Sequence, residues 1–102
     1  MEAKNREIAT EILNQLGGNK FIAMTGARAF VAIDDGLMFM FHRGARDKIN
    51  KIVITLNRDD TYFVRFCNVY DGVFRYISAH NGIYADNLAD LISDKTGLAV
   101  RL

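Results

Sequence analysis

The chain has 102 residues, half of them hydrophobic and a quarter charged, with 13 basic against 12 acidic side chains and a formal net charge of +1. That balance fits one soluble globular domain, which at this size buries about 65% of the surface its unfolded chain exposes. It excludes a polycation. The longest uncharged apolar run, Phe21–Ala27, is far short of the ~20 residues of a membrane span, and a single cysteine forms no internal disulfide.

In chain order, Glu2–Leu16 predicts a helix. Ile8, Ile12, Leu13 and Leu16 fall on one apolar stripe, while Glu7, Thr10, Glu11 and Asn14 face away. Gly17-Gly18 supplies the left-handed residue that ends it. Lys20–Thr25 reads as a short strand, followed by a turn at Thr25-Gly26-Ala27. Arg28–Ile33 is the next strand, with Ala29, Val31 and Ile33 on one face and Phe30 on the other. Asp34-Asp35-Gly36 is a hairpin turn, because an Asp-Gly pair accepts positive φ at little cost. Leu37–His42 then alternates Leu37, Phe39 and Phe41 against Met38, Met40 and His42. Two apolar faces imply a central strand, or one whose second face meets a partner.

Arg43–Lys48 is a basic loop. Residues 50–69 form the hairpin around which the chain is organised: two β-branched and aromatic runs separated by the polar break Asn57–Asp60. Alternation places Ile52, Ile54 and Leu56 with Tyr62, Val64 and Phe66 on one buried surface. Lys51, Val53, Thr55, Phe63, Arg65 and Cys67 share the other. After Asp71-Gly72, Val73–Ala79 is a sixth strand, with Phe74 and Tyr76 opposite Arg75 and Ile77, and His80-Asn81-Gly82 breaks it. Tyr84–Thr96 is a second helix with an inward stripe of Ala85, Leu88, Leu91 and Ile92. Its outward line is Asp86, Asp90 and Asp94, and Gly97-Leu98 follows as its C-terminal signal. The tail Leu98–Leu102 alternates as a short strand would.

This order predicts an α+β fold: an N-terminal helix, an antiparallel meander of about six strands and a C-terminal helix, with both helices on one face of the sheet. Charge is uneven along it. Residues 20–58 carry a net +4 between acidic flanks, which predicts a local positive patch.

Several segments resemble a group of small proteins encoded by bacteriophages and prophages. They are Gln15-Leu-Gly-Gly-Asn-Lys-Phe-Ile-Ala-Met-Thr-Gly-Ala27, Gly36-Leu37 with Phe39 and Phe41, and Ile54-Thr-Leu-Asn57 with Asp60 and Tyr62. To these add Tyr84-Ala-Asp86, Thr96-Gly-Leu98 and Arg101-Leu102. The similarity runs over nearly the whole chain. It implies a mobile-element origin and a bacterial cytoplasm. Members of that group carry no assigned activity, so no catalytic or binding residue is carried over.

No motif supplies catalytic chemistry. Gly17-Gly18-Asn19-Lys20 follows a helix, whereas a Walker-type phosphate loop follows a strand and opens a helix. Thr25-Gly26-Ala27-Arg28 reads more simply as a turn than as an anion nest. His42, His80 and Cys67 lack metal-ligand spacing, and a Cys67–His pair would be recognised only by geometry. The Asp34-Asp35 and Asp59-Asp60 pairs sit in turns, where aspartate bonds its own backbone. The expectation is therefore a non-enzymatic protein with no cofactor, no metal and no membrane or evident small-molecule partner.

The functional residues expected from the sequence are Lys51, Phe63, Arg65, Arg75 and Ile77 on the sheet face away from the helices. Arg28, Arg43, Arg46 and Lys48 extend that surface, and Phe30, Met38 and Met40 make it apolar. Methionines and aromatics in an exposed patch mark a protein interface. The leading expectation is accordingly contact with protein, as a homodimer or with a host or phage factor. Aromatics among bases on an open sheet also suit single-stranded nucleic acid, which is the alternative.

Overall fold

The computed structural model describes residues 2–41 and 46–98. Along the chain these form α1 (Glu2–Leu16), α2 (Asn19–Thr25), β1 (Arg28–Ile33), β2 (Gly36–Met40), β3 (Lys51–Leu56), β4 (Tyr62–Tyr70), β5 (Val73–Ile83) and α3 (Leu88–Thr96). Short 3-10 turns lie at Arg46–Lys48 and Ala85–Asn87. Among the described residues the strands pair in chain order as one antiparallel sheet, a meander of five strands where about six are expected. The strand expected of the tail falls, beyond Leu98, outside the described residues.

The missing strand is α2. Alternation over Lys20–Thr25 suits a strand, but a helix puts Phe21 and Thr25 on one side, four residues apart, and both are buried. Seven residues are too few for local propensity to decide. The tertiary contact decides instead: Phe21 is fully buried, its ring edge-on to Phe39 at 5.5 Å between centroids. The Gly17-Gly18 break still ends α1, with the Gly18 amide donating to the Leu13 carbonyl at 2.9 Å, and the chain re-enters a helix at once.

α2 and α3 end alike. Thr25 and Thr96 are buried, and each hydroxyl donates to the carbonyl four residues back, Phe21 at 2.7 Å and Ile92 at 2.6 Å. Each then accepts the amide two residues on, Ala27 at 3.1 Å and Leu98 at 3.2 Å. Between them Gly26 and Gly97 take left-handed φ of 72° and 74°, and their amides donate to the Ile22 and Ser93 carbonyls. The Thr-Gly pair thus satisfies the polar groups at a helix end that would otherwise be buried without partners. Arg46 adds a fourth bond at α3, donating to the Asp94 carbonyl at 3.0 Å.

Register fixes which side chains share a face. One row across the sheet reads Leu37, Ile54, Val64, His80, and the next reads Phe39, Ile52, Phe66, Ser78. These rows carry the core, together with Ala9, Ile12 and Leu16 of α1, Phe21 of α2, and Leu88 and Ile92 of α3. Both terminal helices therefore lie over the same sheet face. Phe30 stacks on Phe39 at 5.3 Å, so it belongs to this covered face and not to the open one. Asn5 ties α1 to the β1–β2 turn, donating to Asp34 Oδ1 and accepting the Asp35 amide.

β5 departs from expectation at its end and in its middle. It does not break at His80 but continues to Ile83 through Gly82, whose φ is +69°. Asn57 Nδ2 donates to Asn81 Oδ1 at 2.8 Å and holds this stretch to the β3–β4 turn. In the middle, pairing shifts between Phe66–Ser78 and Cys67–Tyr76, which makes Ile77 an inserted residue. Such a bulge exchanges the two faces for the rest of the strand. Ile77 consequently packs against the core, while Phe74 and Tyr76 come to the open face and Arg75 leaves it.

Candidate functional site

The uncovered face is built from the alternate residues of the same strands. One row runs Val31, Met38, Val53, Arg65, Ala79, and the next runs Arg28, Met40, Lys51, Cys67, Tyr76. Phe63 lies beyond Arg65 on β4, opposite Thr55, and Phe74 lies opposite Val69. Of the residues expected here, Lys51, Phe63, Arg65 and Arg28 share this face with Met38 and Met40.

The others lie elsewhere. Arg75 pairs with Asn68 and faces the opposite side, because the bulge at Ile77 shifts the alternation by one residue. Arg46 is held at the end of α3, and Lys48 projects from a turn whose carbonyl accepts Asn68 Nδ2 at 2.6 Å. Arg43 lies outside the described residues, as does His42. Phe74 and Tyr76 belong to the face although alternation assigned them away from it. A one-residue insertion leaves no mark in the hydrophobic pattern, so no sequence signal points to them.

Rings and cations interleave on this surface. Lys51 Nζ sits 5.1 Å from the centroid of Phe74, and the Arg65 guanidinium carbon 5.5 Å from that of Phe63. Phe74 and Tyr76 meet edge to face at 4.8 Å and remain 43% and 64% exposed. None of the five strands contains an aspartate or glutamate. Among the described residues, Lys51 and Arg65 make no ion pair, and Arg65 Nε is buried with no hydrogen-bond acceptor. An aromatic face attracts a cation but does not replace the acceptor its N–H group has lost.

Cys67 is buried beneath this layer, and burial pushes its thiol up against the pull of Arg65 and Lys51 in the other direction. His80 stands on the covered face, edge-on to Phe66 at 5.7 Å, so the sheet itself separates it from Cys67. The two make no nucleophile–base pair. No cluster of three or more His, Cys, Asp or Glu side chains able to hold a metal occurs among the described residues, and no described helix is long and apolar enough to cross a membrane.

Compared with protein-family models, curated proteins and solved structures, the chain matches none.

Proposed function

We propose that the protein is a small non-enzymatic binding module of phage or other mobile-element origin, and that its open sheet face receives the surface of another protein. The composition of that face carries the reading. Methionine, aromatic and arginine side chains are concentrated there, the strands hold no acid, and Lys51 is their one lysine. Interface centres are enriched and depleted in the same residue types. The resemblance of Gln15–Ala27 and Thr96–Leu98 to phage-encoded proteins supports the origin.

Charge favours a different protein over a second copy. Two copies meeting face to face would set Arg28, Lys51 and Arg65 against their like, whereas a partner with apolar groups and carboxylates would meet those cations with opposite charge. Immobilised chain incubated with bacterial lysate tests this. The expected result is a protein retained by the wild type, lost from Phe74→Ser/Tyr76→Ser, and shown after purification to bind directly with an affinity that falls as salt rises. Equal retention by a variant with unchanged circular dichroism would overturn it. Light scattering at several concentrations is expected to show a monomer, and a dimer abolished by the same variant would transfer the face to a second copy.

Single-stranded nucleic acid is the second reading, favoured by the placing of exposed rings beside cations. A labelled oligonucleotide titrated at two salt concentrations should then bind with a steep salt dependence. No binding at low salt would remove it.

A further inference from the structure

The bulge that removes Arg75 from the open face delivers it to a cleft on the other side of the β4–β5 hairpin. Lys48, Asn68, Tyr70, Asp71, Val73 and Arg75 line this cleft, whose volume is about 540 Å³. That lies within the ~300–1,000 Å³ range of small-molecule sites. Asn68, Tyr70, Val73 and Arg75 converge on it because Asn68 pairs with Arg75 and Tyr70 with Val73, which puts all four on one face.

Lys48 reaches the cleft from a restrained backbone. Asp47 and Lys48 both take left-handed conformations, with φ of 57° and 62°, which is uncommon for two successive residues with side chains. The Lys48 carbonyl is pinned to β4 by Asn68 Nδ2. Nearby, the Asn50 side chain clamps Val69, accepting its amide and donating to its carbonyl, both at 2.8 Å. The base of the cleft is thus held independently of any ligand.

Its chemistry is specific in kind. Lys48 and Arg75 make no ion pair among the described residues, so two cations stand available for one anion. Tyr70 is 76% exposed, and Val73 beside it 53%, giving a flat apolar platform at the rim. Asp71 at the turn offers a carboxylate that accepts hydroxyl hydrogens. A lone phosphate would have no use for the ring, and an apolar ligand none for the cations. We propose that this cleft binds a nucleotide, its phosphate between Lys48 and Arg75, its base on the Tyr70 ring and its sugar hydroxyls toward Asp71. The proposal is independent of the open face, which lies across the sheet.

The test is a titration of the full chain with adenosine 5′-monophosphate, followed by amide shifts in nuclear magnetic resonance spectra, with adenosine and inorganic phosphate as separate arms. Saturable shifts centred on residues 68–75 are expected. Affinity should fall by about tenfold or more in Arg75→Gln, the loss expected of a charge-assisted bond to phosphate. Tyr70→Leu should weaken the nucleotide and adenosine but not phosphate. A decamer of thymidylate distinguishes a free nucleotide from one within a strand: shifts at the same amides assign the cleft to a nucleotide unit of the strand. Absence of shifts at millimolar nucleotide, affinity unchanged in Arg75→Gln, or shifts confined to the open-face amides of Lys51 and Phe63 would overturn the proposal.

Discussion

Replacing Thr96 by valine removes a hydroxyl while almost preserving shape, and it tests how the helix ends are sealed. Thr96 is 1% exposed and its hydroxyl serves two bonds, to the Ile92 carbonyl at 2.6 Å and from the Leu98 amide at 3.2 Å. The bond to Ile92 contributes about 1 kcal/mol, the usual net value. The Leu98 amide loses its acceptor in a half-buried position, where water repairs part of the loss, adding roughly 0.5 kcal/mol. The sum, about 1.5 kcal/mol, lowers the melting temperature of a domain this size by about 6–12 °C. Circular dichroism melts and urea midpoints of Thr96→Val measure it. Hydrogen exchange at Leu98 supplies a local readout, with protection expected to drop at that amide before the rest of α3. A variant as stable as wild type, with Leu98 still protected, would refute the assignment of the hydroxyl.

Three further outcomes follow from the packing and the titrating groups. Gly36→Ala should destabilise by roughly 1–3 kcal/mol, because a Cβ there overlaps the Ile54 carbonyl oxygen across the β2–β3 pair; an unchanged urea midpoint would contradict that approach. Burial, with Lys95 assisting, holds His80 below the usual histidine value near ~6.5. The unfolded chain then binds more protons in that window, so stability should be intact above about pH 6.5 and fall as pH drops toward the lower folded value. His80→Gln should flatten this slope, and an equal slope in the variant would exclude His80 as its source. Cys67, buried with its thiol pushed up, should react with an aromatic disulfide at pH 8 roughly tenfold or more slowly in the native protein than in urea; comparable rates would contradict its burial.

What was legible in the sequence was whatever one strong local rule decided. Asp34-Asp35-Gly36 gave the first hairpin, and alternation through Ile52–Leu56 and Tyr62–Phe66 gave the central register, with Ile52 opposite Phe66 and Leu56 opposite Tyr62. Gly97 ended α3 in the left-handed conformation expected of it. The helix at Asn19–Thr25 and the unbroken course of β5 have another cause: in each a contact distant in sequence overrides the local pattern. Phe21 is helical because Phe39 receives its ring, and β5 passes through Gly82 because Asn57 holds Asn81. Tertiary packing outweighs propensity in segments this short.

The bulge at Ile77 carries the largest consequence, since it divides the basic residues between two surfaces. With strict alternation, Arg75 would join Arg65 and Lys51, and the open face would hold a fourth cation in place of the exposed rings of Phe74 and Tyr76. One inserted residue reverses that exchange. The open face gains aromatic area and keeps few charges, the balance that suits a protein surface more than a polyanion. Arg75 meanwhile joins Lys48 beside Tyr70, where an anion with a planar group fits. Deleting Ile77 should take out the bulge without undoing the exchange, since Ser78 opposite Phe66 and Tyr76 opposite Cys67 then become successive regular pairs and Arg75 stays opposite Asn68. Nucleotide binding in the cleft and the Phe74–Lys51 contact should both survive the deletion, at the cost of the apolar contact that Ile77 makes with the core. A nuclear Overhauser contact between Arg75 and Lys51 in the deletion variant would refute Ile77 as the inserted residue that sets which way Arg75 faces.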